Sequence, residues 1–395
     1  MSRDEGLGII ALVPDYWDGI VTVRHQVVRR LAAHFKVEWV EPALNWRDFV
    51  APTAHRFLAG DSWNEPVPSL EVLNTGWRHP QFYRPTWLAD ATVRSRLVLA
   101  RKRLLARGAK RIALYLWRDE FANALDLIPH DFSCYHIDDE YTFSDVEIPT
   151  SPRETRLLQR VDLAIVHSPA LFKKKGTINE NTALIPNGVD YDLYSTPLDE
   201  PADLAAIPHP RVGYTGVIKK QLDFGLLVRL ATARPDWNFV LVGPITNIVG
   251  KEAEVATLEG MANVHFIGAK PAGHLPRYVQ HFDVCLMCYQ LTDYTKYIYP
   301  LKLHEYLATG RPTVASAIGA LATFKDVVSI AKNDAEWLAA IEQGIAEGPN
   351  DRVSRAQRQS VAREHDWHTL VERIARLFSD DSANRDRRQC VVQPS

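Results

Sequence analysis

A lysine and a glutamate stand three residues apart in the segment 299–316, YPLKLHEYLATGRPTVAS. The run after Pro300 predicts a helix that ends at Gly310, because proline suits a first helical turn and glycine a C-terminal cap. At the helix N-terminus, Lys302 and free backbone N–H groups favour the phosphates of a nucleotide. Glu305, one turn further on, can accept hydrogen bonds from ribose hydroxyls. The alternative is an exposed Lys–Glu surface pair, which contributes roughly 0.2–0.5 kcal/mol.

Two further segments predict strands that end in glycine. Gly216 follows a strand in RVGYTGVIKK (211–220) and is itself followed by Lys219 and Lys220, and Gly243 ends the strand in VLVGP (240–244). Glycine at a strand end lets a ligand approach the backbone closely, and the two lysines are within reach of a phosphate. Neither segment contains GxGxxG or GK[ST], so NAD binding and ATP hydrolysis are not indicated.

Three adjacent carboxylates follow the predicted strand 132–137. Asp138, Asp139 and Glu140 are candidate catalytic residues, because they could position an acceptor hydroxyl or accept its proton. A solvated acidic turn or a helix cap is the alternative interpretation of the same residues.

Short apolar runs alternate with helical patterns in both halves of the chain. Strands are predicted at 7–13, 36–40, 111–117, 132–137, 162–167 and 183–186, and at 211–215, 238–242, 264–267, 283–287, 313–315 and 327–330. This repetition predicts an α/β protein with two parallel sheets, that is, two Rossmann-like domains facing each other across a cleft.

Prolines near residues 195–210 predict the domain boundary. The N-terminal domain is expected at 1–195 and the C-terminal domain at 205–365. Residues 366–380 read as a final amphipathic helix, and the polar residues 381–395 predict a disordered tail. The irregular region 46–88 is rich in Trp, Pro and Asn and is interpreted as acceptor-binding loops.

Composition excludes several classes of protein. A formal net charge of −2 over 395 residues argues against a nucleic-acid binder. No secretory signal and no apolar run of membrane-spanning length is visible, so a cytoplasmic protein is expected. Cys285 and Cys288 have CxxC spacing but stand in an apolar strand pattern, which favours a structural role over a redox or zinc site.

Residues 94–111 carry eight Lys or Arg and no acid, interleaved with leucine and valine. Such a stretch predicts peripheral contact with an anionic membrane at its inner face, as expected for a lipid-linked acceptor. A basic helix on a soluble surface is the alternative.

Taken in order, six segments resemble the donor-binding half of glycosyltransferases of the GT-B type, family 4 and its relatives. They are LIPNGVD (184–190), GYTG (213–216), RPDW (234–237), LVGP (241–244), VHFIG (264–268) and PLKLHEYLATGRP (300–312). The resemblance implies that Glu305 holds the ribose, that Lys302 and the lysines after Gly216 meet the phosphates, and that the backbone at 267–268 lines the base. The loop 14–19, ending at Gly19, matches a donor-facing glycine loop more loosely. The donor site so predicted comprises Gly19, Gly216, Lys219, Lys220, Gly243, Gly268, Tyr297, Lys302, Leu303 and Glu305.

One position departs from the family pattern. The first Glu of the family's E-x7-E motif corresponds to Tyr297 here, so recognition of the donor sugar differs. The resemblance implies transfer with retention of configuration, in which the donor phosphate assists deprotonation of the acceptor. If the enzyme instead inverts, Asp138 or Asp139 becomes the leading base.

The expected function is transfer of a hexosyl group from a nucleoside-diphosphate sugar, of UDP or GDP type, to an acceptor hydroxyl on a glycan or lipid-linked glycoconjugate. No cofactor and no metal is expected, since no Asp-x-Asp stands in the donor half and lysines can neutralise the diphosphate. Two alternatives stay open. One is a nucleotide-sugar epimerase of the same fold, and the other is a non-catalytic subunit that retains the fold.

Overall fold

The computed structural model describes residues 6–43, 67–76, 79–141, 147–348 and 351–391, with side chains as far as residue 380. The chain divides into two compact units. The N-terminal unit contains Met1–Asp139, Pro149–Pro186 and His368–Ser395, and the C-terminal unit contains Glu140–Ile148 and Asn187–Trp367. The boundary therefore lies at Pro186, earlier than the proline-rich stretch 195–210 suggested.

The N-terminal unit is built on a parallel sheet of seven strands in the order β3-β2-β1-β4-β5-β6-β7. Its strands are β1 (Leu7–Leu12), β2 (Lys36–Val40), β3 (Leu70–Leu73), β4 (Arg111–Leu116), β5 (Phe132–Ile137), β6 (Leu163–Val166) and β7 (Thr182–Leu184). Every residue of β1 and β5 is buried, as expected for strands covered on both faces. Its helices are α1 (Val23–Leu31), α2 (Thr86–Ala106), α3 (Ala124–Leu127), α4 (Pro152–Arg160) and α5 (Pro169–Lys175).

The C-terminal unit repeats this design with six parallel strands in the order β10-β9-β8-β11-β12-β13. These are β8 (Arg211–Thr215), β9 (Asn238–Val242), β10 (Val264–Phe266), β11 (Val284–Met287), β12 (Thr313–Ser316) and β13 (Ser329–Ala331). Its helices are α6 (Tyr191–Ser195), α7 (Ala202–Ala205), α8 (Phe224–Ala233), α9 (Glu252–Glu259), α10 (Leu275–Gln280), α11 (Leu301–Thr309), α12 (Asp334–Glu347) and α13 (Arg352–Glu364).

Both sheets reverse their strand order at one point, between β1 and β4 and between β8 and β11. Loops that follow the strands on either side of such a switch point diverge and leave a crevice where ligands of open α/β sheets bind. The two Rossmann-like domains expected from the sequence are thus confirmed, and ligand-binding residues are expected at each switch point.

The last helix, α14, spans Trp367–Val391. Phe378 on this helix makes edge-on contacts with Tyr115 and Phe132 in the N-terminal unit, with ring centroids 5.1 and 5.2 Å apart. The predicted disordered tail 381–395 is wrong as far as Val391, because helical backbone continues to that residue. The segment 381–391 contains neither proline nor glycine, so nothing in it forces an earlier end once the packed turns are formed.

The region 46–88 and the pair Cys285 and Cys288 can be compared with the sequence-based predictions. The region 46–88, predicted as loops, contains the edge strand β3, whereas residues 44–66 and 77–78 lie outside the described part. Cys285 and Cys288 are fully buried free thiols, which confirms the structural interpretation. Burial raises the pKa of the Cys288 thiol to about 12.

The basic stretch 94–111 does not present one continuous basic surface. Of its eight cationic residues, only Arg94, Lys102 and Lys110 are exposed. Arg103 and Arg107 form ion pairs with the buried Glu38, at 2.8 and 3.0 Å. Among the described residues, no helix is both long and apolar enough to cross a bilayer.

Candidate functional site

Two strand-end glycines meet beside the switch point of the C-terminal unit, Gly216 after β8 and Gly243 after the adjacent strand β9. The N–H of Gly216, just after β8, donates to the carbonyl of Val242 at 2.8 Å. A Cβ atom built on Gly243 would stand 2.0 Å from the carbonyl oxygen of Gly216. Since both residues also have positive φ angles, only glycine allows this close backbone approach.

Lys302, in the first turn of α11, lies against the first of these glycines. A Cβ atom built on Gly216 would fall 2.6 Å from the Lys302 Nζ atom, and that ammonium is 5.0 Å from the centre of the Tyr214 ring. The helix begins after Pro300 and ends at Gly310, whose φ angle is 74°. A strand end, a helix N-terminus and a lysine therefore converge on one point, which is the arrangement that holds phosphate groups.

Glu305 shares this environment with Lys302, and neither side chain is exposed. Burial raises the pKa of the Glu305 carboxyl, although Lys302 and the Tyr194 hydroxyl oppose the shift. Burial also lowers the pKa of Lys302, against the influence of Glu305 and Cys288. The alternative of a solvent-exposed Lys–Glu surface pair is therefore wrong.

The other residues of the C-terminal unit that were predicted to bind the donor do not all lie beside Lys302 and Gly216. The loop that carries Lys219 and Lys220 pairs with the loop after Gly243, because the N–H of Lys220 donates to the Asn247 carbonyl at 3.1 Å. Gly268 follows β10 at an exposed turn with a φ angle of 74° and open space around its Cα. The Leu303 side chain is fully buried in the core, so it holds α11 in place rather than facing the Gly216 side.

The PNGVD segment anchors the loop that leads into α11. The buried Asn187 side chain donates to the backbone carbonyl of Tyr299 at 2.7 Å. Two residues later, the N–H of Val189 donates to the His365 carbonyl, and the N–H of Trp367 donates back to Val189. The motif thus has a structural function, which is to connect the start of α11 with the end of α13.

Tyr297 is 4% exposed, and its hydroxyl donates a hydrogen bond to a carboxylate oxygen of Glu147. The Lys296 ammonium forms an ion pair with the other oxygen of the same carboxylate. Burial, together with Glu147, raises the pKa of Tyr297 to about 12, so the phenol stays protonated as a donor. At the position where the family pattern has a glutamate, this chain thus holds a carboxylate that comes from residue 147.

The N-terminal unit holds a second group of charged residues, beyond the ends of β1 and β5. Arg24 lies between two carboxylates, with its guanidinium nitrogens 2.7 Å from Asp15 and 2.9 Å from Asp138. Arg24 and Asp138 are largely buried, and the guanidinium is 5.9 Å from the centre of the Trp117 ring. Asp138 is thus the partner of an arginine, which makes it suited to hold that cation in position.

The other two adjacent carboxylates do not share this environment. Asp139 is half-buried at the end of the N-terminal unit, whereas Glu140 is 2% exposed and belongs to the C-terminal unit. Gly19 is buried in the loop after β1, where its N–H donates to the Tyr16 carbonyl at 3.1 Å. A solvated acidic turn does not describe the carboxylate segment, because Asp138 is paired and Glu140 is buried.

Three buried histidines of the N-terminal unit were not identified from the sequence, and two of them, His136 and His167, interact with the Asp138 charge. Burial lowers the pKa of His136 to about 3, and its Nδ1 atom is 2.6 Å from the Tyr115 hydroxyl. Burial also lowers the pKa values of His167 and His25. The sequence YHIDD (135–139) places His136 two residues before Asp138. That spacing could have predicted a histidine on the same strand end as the carboxylates.

Residues 209–347 match the family model described as "Glycosyl transferases group 1". Over 231 residues the chain is 29% identical to TuaH of Bacillus subtilis strain 168, whose name assigns it provisionally to teichuronic acid biosynthesis as a glycosyltransferase. That match covers 56% of this chain and 57% of TuaH, so the chain spans little more than half the length of this relative.

Solved structures show that the fold extends over nearly the whole chain. A glycosyltransferase from Rickettsia africae superposes with a TM-score of 0.67 at 11% identity, covering 96% of this chain and 99% of that one. WaaG, a glycosyltransferase involved in lipopolysaccharide biosynthesis, gives 0.58 at 14% identity, with 94% and 99% covered. An Escherichia coli structure titled trehalose-6-phosphate bound with UDP-2-fluoro glucose gives 0.62 at 14% identity, with 95% and 99% covered.

The family match covers the unit in which Gly216, Lys302 and Glu305 converge. The fold similarity covers both units, and the named relatives are glycosyltransferases. The chain therefore has the two-domain GT-B fold, and its C-terminal unit is similar to the group 1 glycosyltransferases.

Proposed function

We propose that this chain is a glycosyltransferase that moves a sugar from a nucleoside-diphosphate sugar to an acceptor hydroxyl in polysaccharide or glycoconjugate assembly. The observation that carries the proposal is the packing of the Lys302 ammonium against Gly216 at the N-terminus of α11. A diphosphate at this point would accept hydrogen bonds from backbone N–H groups and neutralise an ammonium that burial otherwise disfavours. The UDP-sugar named in a structural neighbour's title agrees with this class of donor.

Glu305 is the proposed ribose ligand. Its carboxylate lies one turn into α11 from Lys302, and burial raises its pKa. Two ribose hydroxyls can donate to such a carboxylate and replace the water that burial removes. Gly268, in an exposed turn after β10, leaves room for the base to lie against backbone.

The proposed reaction breaks the bond between the anomeric carbon and the leaving phosphate oxygen and forms a bond from that carbon to the acceptor oxygen. With retention of configuration, the acceptor proton passes to the leaving diphosphate, and Lys302 stabilises the charge that develops there. Glu147, held by Tyr297 and Lys296, is the proposed acceptor of hydrogen bonds from the donor sugar.

Calorimetric titration with UDP, GDP and dTDP tests the donor site. One diphosphate should bind the wild-type protein, and Lys302→Ala and Glu305→Ala should weaken that binding by about 10- to 100-fold, since a hydrogen bond to a charged group contributes roughly 1.5–3 kcal/mol. Lys325→Ala, which removes an exposed lysine of the same unit, is the matched control and should bind normally.

Three outcomes separate this proposal from its alternatives. Absence of binding by every diphosphate contradicts the donor site and favours a non-catalytic subunit. Conversion of a bound UDP-sugar to its epimer, without transfer, favours an epimerase. Analysis of the anomeric configuration of a transferred sugar distinguishes retention from inversion.

A further inference from the structure

A cavity of about 470 Å³ opens in the N-terminal unit where β1 and β2 end. That volume lies within the usual range for small-molecule sites. Its walls are mostly apolar, and they include Leu12, Pro14, Val40, Pro42, Tyr83 and Arg96. The carboxyl ends of parallel strands are where open α/β sheets bind ligands, so this cavity has the location of a binding site.

Arg96, on α2, is unusual in this wall because it carries a charge and is yet only 9% exposed. One of its terminal N–H groups donates to the Gln81 side chain, and its Nε atom is buried with no hydrogen-bond partner. Burial lowers the pKa of Arg96, and no carboxylate among the described residues opposes that effect.

Three arginines near it are paired with carboxylates. Arg103 and Arg107, further along the same helix, form ion pairs with the buried Glu38. Arg153, which also lines the cavity, has its Nε atom 2.8 Å from the Asp119 carboxylate. Arg96 therefore differs from these three arginines in lacking an anionic partner within the part of the chain that the structure describes, and it is more buried than Arg101 on the same helix, which has no ion pair either.

A buried guanidinium without a counter-charge is costly, and arginine cannot relieve that cost by losing its proton. The cost falls when an anion enters the cavity and accepts hydrogen bonds from the unused N–H groups, because two oxygens of a carboxylate or of a phosphate match the guanidinium fork. We propose that this cavity binds an oxyanion, a carboxylate or a phosphate, on the acceptor substrate, with Arg96 as its ion-pair partner. The identification of the ligand as the acceptor substrate rests on the proposed function, whereas the anion site itself does not.

Other residues of the wall fit the sugar part of such a ligand. Tyr83, 68% exposed, offers an aromatic ring on which the apolar face of a sugar can lie. Glu41 and Glu120 also line the cavity, and their carboxylates can accept hydrogen bonds from sugar hydroxyls. Of the two arginines that line the cavity, Arg96 is the one without a carboxylate partner among the described residues.

Calorimetric titration at constant ionic strength, with no nucleotide present, tests the site. The probes are D-glucuronate, D-glucose 6-phosphate and neutral methyl β-D-glucoside. We expect one of the two anionic sugars to bind, which identifies carboxylate or phosphate as the preferred group. The neutral glycoside should bind at least about 10-fold more weakly, because it lacks the charge-assisted hydrogen bonds.

Two variants on the same helix sharpen the test. Arg96→Met should reduce anion affinity by about 10- to 100-fold, yet raise the melting temperature of the unliganded protein by a few degrees, since it removes an uncompensated buried charge. Arg94→Met, which removes an exposed arginine two residues away, should change neither quantity.

Failure of both anions to bind, or binding that persists in Arg96→Met, would overturn the proposal. A lower melting temperature in Arg96→Met would assign Arg96 a purely structural role and would also count against it. Nucleotide binding is measured separately through Lys302, so the donor site and this site can fail independently of each other.

Discussion

At the scale of single residues, the Glu147 carboxylate near the proposed donor-sugar position is the clearest change from the family pattern. Tyr297 occupies the position of the expected glutamate, and its hydroxyl holds Glu147. A buried phenol whose pKa is raised to about 12 remains a hydrogen-bond donor at neutral pH. The two residues together can present a carboxylate where one glutamate does so in relatives.

Glu147→Gln should therefore lower kcat/KM for sugar transfer by about 10-fold or more, since it replaces a charged acceptor by a neutral one. The affinity for the free nucleoside diphosphate should stay unchanged, because the proposed nucleotide contacts lie at Lys302 and Glu305. Steady-state kinetics and calorimetry measure the two quantities on the same preparation.

Asp326→Asn is the matched control, since it removes the carboxylate of an exposed aspartate elsewhere in the same unit. Its transfer rate should stay close to that of the wild type. Equal loss of nucleotide affinity and of kcat/KM in Glu147→Gln would show a structural role and contradict the assignment.

At this scale the sequence alone predicted which residues lie close together where a motif was local. Lys302 and Glu305 lie three apart on one helix, so helical geometry alone brings them together. Arg24 and Asp138 are 114 positions apart, and a single sequence offers no local pattern that pairs them.

At the scale of elements, the two strand-end glycines have separable tasks. Gly216 makes room for the Lys302 side chain, whereas Gly243 makes room for the backbone of Gly216 itself. A flexible side chain can move away from an added methyl group, but two paired loops cannot separate without losing their hydrogen bonds.

Gly243→Ala should destabilise the C-terminal unit by roughly 2–5 kcal/mol, combining overpacking with an unfavourable backbone angle. Gly250→Ala is the control, because Gly250 also has a positive φ angle, of 79°, but no atom within 4 Å of a built Cβ. It should cost only about 1–2 kcal/mol. Differential scanning calorimetry measures both, and equal losses would refute the role assigned to the backbone contact.

Element prediction was accurate for strands buried on both faces, because their apolar runs stand out from the helices between them. The edge strand β3 was missed, since only Leu73 of its four residues is buried and the pattern is weak. The final helix was predicted too short because its polar continuation lacks an apolar stripe.

At the scale of the whole molecule, the buried histidines are distributed unequally. Burial lowers the pKa values of His25, His136 and His167 in the N-terminal unit, and of His304 in the C-terminal unit. Opposing them, burial raises the pKa of Glu38 to about 7 in the first unit and raises that of Glu305 in the second.

The N-terminal unit should therefore lose stability as pH falls from about 6.5 to 5. In that range His136, with a folded pKa of about 3, takes up a proton only on unfolding, whereas Glu38, with a folded pKa of about 7, releases one. The lowered pKa values of His25, His34 and His167 add further proton uptake on unfolding, so uptake exceeds release. Each net proton taken up lowers the free energy of unfolding by about 1.4 kcal/mol per pH unit. In the C-terminal unit the lowered pKa values of His265 and His304 are opposed by the raised pKa of Glu305, and a smaller change is expected.

Hydrogen exchange measured by mass spectrometry reports the opening of each unit separately, once intrinsic exchange rates are corrected for pH. His136→Gln should reduce the pH dependence of the N-terminal unit by about one proton. Parallel pH dependence in both units, or greater protection of β1 and β5 at pH 5 than at pH 7, would contradict this account.

The sequence by itself determined the strand and helix pattern, the two Rossmann-like domains and the convergence of Lys302 and Glu305 on one helix. These depend on residues close together in the chain, where periodicity and helix termini impose the geometry. Only the tertiary structure decided that Arg24 holds Asp138, that Glu147 meets Tyr297, that Gly243 packs on Gly216, and that Arg96 lines a cavity without a carboxylate partner in the described residues. Each of these depends on which distant segments the sheet topology brings together, and burial then determines whether a charge is neutralised, shifted in pKa or left for a ligand.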